Sequence, residues 1–426
     1  MTPPTGTTPL VCDPIVRAAA DALGDGPLTE RALREHIDPL FSRTRAHRDH
    51  EIYLANHSLG RPLDCMDDEI RAVLDAWYTH MDDAWTLWID RRERYRAEMA
   101  RLLGMRRADA VVPKTSAAQG LRAVIHALPT DHPTIVTTRA EFDSIDFVLK
   151  AMRHKGRADV RFVATRDDGI LDEQRLIDAI DDSTDLVVCS IVCFALGQRL
   201  TRLGGIIDAA HAHGARVVLD TYHAAGVLPI GDDARRADFM IGGNYKYTRG
   251  GPGASWLAIR PDLLDDAPRV PDPGSLFTTD TGWFAKHDTF AYARDEEPLY
   301  AAGGDAWLEA TPPVLTYAQA LPGLVLTNAI GLGRLREYAL GQMCSLTELL
   351  EGRGLRVATP EHHGAYVLIP ADDAAKAVGA LKALGVNADA RPSPGGSQAF
   401  VRLCPDILTS RDNLEHAADI TAQALG

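Results

Sequence analysis

Six cysteines in 426 residues (Cys12, Cys65, Cys189, Cys193, Cys344 and Cys404) are too scattered to form a disulfide framework, and a chain this long does not need one. Reduced thiols are expected. Apolar runs are short: none approaches the roughly 20 residues that span a bilayer. The opening residues 1–6 lack the basic and apolar regions of a secretory signal. A cytoplasmic protein without a membrane partner is expected. Cations are in deficit, with 45 Lys and Arg against 59 Asp and Glu for a formal net charge of -14. No excess of positive charge exists to displace counterions from phosphates, so no nucleic-acid partner is expected. There is no Walker A loop and no Gly-x-Gly-x-x-Gly turn. His211-Ala212-His213 has no second ligand cluster to accompany it, and no metal is expected.

What the chain does have is length for two domains and a regular alternation from about residue 101. Apolar runs at 110–112, 134–137, 160–164, 186–192, 216–219, 239–242 and 255–259 are separated by helix-length segments. They read as parallel strands buried on both faces, hence an α/β sheet between helices. Segments 67–88 and 91–103 read as long helices before it. Segment 261–313 is rich in Pro, Gly and aromatics with little periodicity, which suggests a functional excursion. Segment 318–350 reads as helical and leads into a smaller α+β unit: strands at 365–369, 386–390 and 400–403, a helix over 371–384, and a last helix capped by Thr409 or Ser410. The expected division is an N-terminal arm and helices that join the small domain (1–88), a large domain (89–315) and a small C-terminal domain (316–426).

Two of the runs end in chemistry. Asp220-Thr221-Tyr222-His223 follows one, and Gly243-Asn244-Tyr245-Lys246-Tyr247 follows the next, with Gly250, Gly251 and Gly253 behind it. Ligands collect at the carboxyl ends of parallel strands. An amine for a Schiff base and an anion beside a pyridine nitrogen are what pyridoxal phosphate requires. Lys246 and Asp220 supply the two; the bland alternatives are an exposed lysine and a solvated aspartate. The glycines favour the cofactor reading, because they permit close backbone approach. Thr115 and Ser116 precede a helix start at 117–121, where hydroxyls and unpaired N–H groups suit the cofactor phosphate. A plain N-cap is the alternative. His223 either orients the ring or is structural.

The ordered set of motifs resembles kynureninase, within the class V branch of fold type I pyridoxal phosphate enzymes. Tyr53-Leu54-Ala55-Asn56-His57-Ser58-Leu59-Gly60 is similar to its N-terminal signature, Glu141-Phe142-Asp143-Ser144 to its ring-stacking segment, and Val401-Arg402-Leu403 to its carboxylate-binding strand. Gly282-Trp283-Phe284 and Ala310-Thr311-Pro312-Pro313 look like the segments that reach into a neighbouring subunit. The resemblance implies a fold type I transferase-like architecture: a large domain with a mainly parallel seven-stranded sheet, plus a small C-terminal α+β domain. It implies Lys246, Tyr245 and Asp220 as catalytic, and Thr115, Ser116, Phe142, Asp220, His223, Tyr245, Lys246, Trp283 and Thr311 as holding pyridoxal 5'-phosphate. It implies Arg402, Asn56 and Ser58 as binding an amino acid substrate, and a homodimer with the site at its interface. Phe142 read without the family could be core, and Arg402 a surface strand residue.

The chain also departs from that family. Ala285-Lys286 stands where Gly-His is usual, the segment 192–198 has lost a polar tyrosine-arginine pair, and Pro405-Asp406-Ile407-Leu408 replaces Pro-Leu-Tyr. The residues that would hold the cofactor are kept while those facing a substrate change, which points to retained chemistry on an altered substrate. Cleavage of the Cβ–Cγ bond of kynurenine or a related β-acyl amino acid is the leading expectation. β-Elimination of a C–S bond, transamination, and a non-catalytic binding protein on the same fold are the alternatives. No cysteine lies between Arg391 and Arg402, where a desulfurase would carry its nucleophile.

Overall fold

The computed structural model describes residues 8–48, 50–265, 267–292, 294–396 and 398–425. A two-residue strand, β1 (Ile52–Tyr53), precedes the long helices Met66–His80 and Trp85–Leu103. The seven apolar runs then form β2 (Val111–Lys114), β3 (Thr134–Thr138), β4 (Asp159–Val163), β5 (Leu186–Ser190), β6 (Arg216–Asp220), β7 (Phe239–Gly243) and β8 (Ser255–Ile259). They build one sheet in the order β2-β8-β7-β6-β5-β3-β4. Successive residues of a strand face opposite ways. Accordingly Val217 and Leu219 enter one hydrophobic core while Val218 and Ile241 enter another on the far face.

One expectation is corrected here: β8 runs antiparallel to both β7 and β2. The link from Gly243 to Ser255 is too short for a helical crossover, so the chain turns back beside the strand it has just left. The boundaries of the N-terminal helices also differ from the expected ones. The break falls at Met81, which has a positive φ of 49°, and not between 88 and 91. The expected helix over 318–350 is two helices, Val314–Ile330 and Leu332–Glu351, parted at Gly331 with φ 91°. A left-handed residue cannot continue a helix, and glycine adopts that conformation without steric cost.

The small unit is a three-stranded antiparallel sheet of β9 (Val367–Pro370), β11 (Asp389–Pro392) and β12 (Ala399–Leu403), in the order β11-β12-β9. β10 (Val386–Asn387) pairs instead with β1. Leu54, Leu346, Val367, Leu381, Val401 and Leu414 share its core. The last helix, Arg411–Leu425, is capped by Ser410, whose hydroxyl accepts from the Asn413 N–H. Pairing of β1 with β10, and a bridge from Ala55 to Cys404, carry Asn56, His57 and Ser58 to the end of β12. Among the described residues no helix is long and apolar enough to cross a membrane.

Candidate active site

β5, β6 and β7 end side by side, with Ser190 opposite Asp220 and Asp220 opposite Ile241. Asp220 is buried, and its carboxylate accepts the Tyr222 N–H at 2.7 Å. Lys246 lies three residues beyond β7 in a loop that Asn244 braces: the Asn244 carbonyl accepts from Gly250 N–H and Thr248 Oγ1, and its side chain accepts from Tyr95 Oη at 2.6 Å. Gly60 presses on this loop from outside. Its N–H donates to the Tyr245 carbonyl, and a Cβ there would stand 2.0 Å from the Lys246 carbonyl oxygen, so no larger residue fits.

The Lys246 amine is buried in an aromatic box, with its Nζ 5.0 Å from the Tyr222 ring centre, 5.7 Å from Phe142 and 5.8 Å from Tyr245. His223 Nε2 stands 2.6 Å from that Nζ. Burial lowers the Lys246 pKa and raises that of Asp220, because each would carry its charge away from water. Burial, then the charges of Lys246 and Arg402, keep His223 neutral. Its Nε2 therefore accepts from the amine and its Nδ1 carries the hydrogen. That Nδ1 is buried with no partner among the described residues. Phe142, Ser190, Val192, Phe194, Tyr222 and Tyr245 complete a narrow cleft around these groups.

Thr115 and Ser116 lie on the same sheet edge, since Lys114 pairs with Ser255 and Ser255 with Gly243. Ser116 is the N-cap of helix Ala117–Ile125, its hydroxyl oxygen accepting from the Gln119 N–H, which leaves its own O–H to donate elsewhere. Gln119 also occupies the Thr115 donors, its Oε1 2.7 Å from the Thr115 N and 2.9 Å from its Oγ1. Glu309 holds Gln119 in place and pairs with the buried Lys114.

Arg402, Asn56 and Ser58 are also brought together, around a residue the sequence did not single out. Asp389 stands opposite Arg402 in the β11–β12 register and takes its Nε and Nη2, each at 2.7 Å. Ser58 Oγ donates to the same carboxylate at 2.6 Å, and His57 Nε2 lies 2.8 Å from it. Burial pushes the Asp389 pKa up, but these partners outweigh it and hold the group well below the usual carboxylate range. Asn56 donates to the Cys404 carbonyl, and its buried Oδ1 has no partner. Asp-x-Arg at 389–391, alternating on a strand next to Arg402, was the signal available in the sequence. Phe194, Tyr222, Ser190 and Glu141 are further members that sequence reasoning passed over.

Trp283 and Thr311 are not among the residues lining this cleft. Trp283 Nε1 donates to Thr311 Oγ1 at 3.2 Å, and the indole packs in an aromatic cluster with Trp85, Phe284 and Phe290. His211 and His213 go to different aspartates, Asp238 and Asp182, and among the described residues no group of side chains could hold a metal ion.

A buried amine, a buried carboxylate at a neighbouring strand end, aromatic faces and an unpartnered imidazole nitrogen fit pyridoxal phosphate. The aminotransferase class-V family model matches residues 79–283. The kynureninase of Pseudomonas fluorescens is 28% identical over 360 residues, 80% of this chain and 82% of that protein. That of Bacillus cereus (strain ZK / E33L) is 27% identical over 376 residues, 84% of each. Among solved structures, C-DES with glycine linked to its PLP cofactor superposes with a TM-score of 0.77 at 19% identity, over 91% of this chain and 99% of that one. An apo cysteine desulfurase from Thermococcus onnurineus NA1 gives 0.73 at 18% identity, over 88% and 95%. At such identities the two structures speak for the fold alone.

Proposed function

Taking as premise that the chain is a kynureninase-like class V enzyme of fold type I with pyridoxal phosphate as cofactor, we propose that it hydrolyses the Cβ–Cγ bond of kynurenine or a related β-acyl amino acid. Water enters, and alanine and the carboxylic acid leave. The observation that carries this reading is the Lys246 amine inside an aromatic cleft with no cysteine among its described lining residues. Aromatic walls suit an aryl side chain, and a persulfide chemistry would need a thiol within reach.

The bound cofactor supplies an electron sink conjugated to the substrate Cα. Lys246 anchors it and then moves a proton at that Cα; its depressed pKa lets the free amine act as a base near neutral pH. Asp220 would pair with the ring nitrogen of the cofactor and Phe142 would pack against its ring. Thr115 and Ser116 bind the phosphate, with Gln119 releasing the Thr115 donors to it. His223 orients the amine through Nε2. Tyr245, half-buried and in contact with the Tyr222 ring, hands a proton to the departing Cβ. Arg402, Asn56 and Ser58 form the substrate-carboxylate end of the cleft. Trp283 and Thr311 complete the cleft of a second copy in a cytoplasmic homodimer, and the units 1–88, 89–315 and 316–426 divide the chain.

The test is mass spectrometry of products from L-kynurenine and 3-hydroxykynurenine with cofactor-loaded protein. The expected products are alanine with anthranilate or its hydroxy derivative, reduced at least 10³-fold, on the order of a lost general base, in Lys246→Ala. Pyruvate and ammonia from a cysteine conjugate, with no anthranilate, would favour a β-eliminating C–S lyase instead, and a keto acid would favour an aminotransferase.

A further inference from the structure

β11 and β12 form a wall behind Phe194, which lines the cleft, and this wall holds two arginines and one carboxylate, of which only Arg402 is closely engaged. Arg402 donates through Nε and Nη2 to Asp389 and through Nη1 to the Phe194 carbonyl at 2.7 Å. A guanidinium has five N–H donors in a planar fork. Three are committed, Tyr366 lies against the same guanidinium, and the side-on edge that a carboxylate would otherwise grip is already filled by Asp389. Both oxygens of Asp389 are held in turn, one by Arg402 and His57, the other by Arg402 and Ser58.

Arg391 lies two residues along β11 from Asp389, hence on the same face of the strand. Its guanidinium sits 5.6 Å from the Phe194 ring centre and that of Arg402 sits 5.0 Å from it, while Phe194 lines the cleft with Lys246. The Arg391 side chain is 40% exposed against 1% for Arg402. It is tethered loosely, through Nη1 to the Ala390 carbonyl and through Nη2 at 3.3 Å from Asp389. With His57 neutral, its pKa lowered to about 4 by burial and by Arg402, the wall carries two positive charges and one negative. One positive charge is left uncompensated, and it belongs to the accessible arginine.

We propose that Arg391 captures the substrate α-carboxylate beside Phe194, with Asp389 as a built-in counter-charge that closes the side edge of Arg402. The proposal deepens the reading of the cleft as an amino acid site and rests on it. The ligand class that follows is an α-amino acid with a free carboxylate; amides and esters bind poorly.

The test uses cofactor-loaded protein titrated with L-alanine and with L-alaninamide, following the visible absorbance of the cofactor. Wild type is expected to prefer alanine. Arg391→Gln should raise the Kd for alanine tenfold or more, on the order of a lost charged hydrogen bond, while that for alaninamide stays within about twofold. Arg391→Lys should recover only part of the loss, since an ammonium cannot share the anion as a planar fork does. Equal losses for both ligands, an unchanged alanine Kd in Arg391→Gln, or a wild type that binds the two alike would each overturn the proposal. Alanine binding does not require bond cleavage. A protein that discriminates the carboxylate through Arg391 but does not cleave kynurenine would refute the reaction proposed above and leave this inference standing.

Discussion

At the scale of single residues, the proposed site rests on one lysine and one aspartate whose charged forms burial disfavours. Asp220 keeps one backbone donor, from Tyr222, and faces the Lys246 charge. A protonated pyridine nitrogen beside it would favour its ionised form, since opposite charges in a poorly solvated cleft attract strongly. In Asp220→Asn the shape is kept and the anion is lost. The ring nitrogen would then lack its partner anion, while Lys246 would still be free to anchor the cofactor. Cleavage should fall on the order of 10³-fold, the scale of a lost electrostatic contact in an active site, with lysine-bound cofactor still visible by its absorbance. Loss of the bound cofactor in this variant would instead assign Asp220 a holding role.

At the scale of elements, the ends of β3 and β5 are tied by one buried acid. Glu141 accepts from Thr138 Oγ1 at 2.7 Å and from Ser190 Oγ at 2.6 Å, and Ser190 is the residue opposite Asp220. Burial raises its pKa to about 7, against the two hydroxyl bonds that lower it. A raised folded-state pKa means that the native state binds this proton more tightly than the unfolded chain does. The stability it confers is full below the unfolded value, near 4.5, and is lost as pH rises through 7. The loss approaches about 3 kcal/mol by linkage. Glu141→Gln carries no titrating group, so its melting temperature should fall less than that of the wild type between pH 5 and pH 8. Parallel pH curves for the two proteins would remove Glu141 as the source.

The same elements show what could be read from the chain. All seven strands of the large sheet were legible, because strands buried on both faces are apolar runs between helices, and Asp220 and Lys246 were legible because both sit just past such runs. Strand direction was not: an apolar run reads the same either way, and only the short link to Ser255 reverses β8. Asp389 and Arg391 were missed because their meaning depends on the register that sets Asp389 opposite Arg402, on a strand of mixed burial. The role of Ser116 as a cap follows from local geometry, whereas Gln119 occupying the Thr115 donors depends on Glu309, distant in sequence.

At the scale of the whole molecule, one hydrophobic cluster runs from Leu10 through Leu219 to Ile407, so the proposed units share a core and do not behave as separate beads. Trp283 and Thr311 are not among the residues that line the cleft of their own chain, and they lie in an aromatic cluster where Trp77 and Tyr292 are exposed. Exposed aromatics in one region mark a contact surface, and a second copy related by a twofold axis would bring the pair to the other cleft. If so, each cleft takes Lys246 from one chain and Trp283 with Thr311 from the other. Lys246→Ala and the double variant Trp283→Ala, Thr311→Ala should each be impaired alone. Co-expressed in equal amounts, half of the dimers are mixed and each mixed dimer rebuilds one of its two clefts, so activity should return to about a quarter of wild type. Activity no greater than the mean of the two variants measured separately would place Trp283 and Thr311 at the cleft of their own chain, or away from both.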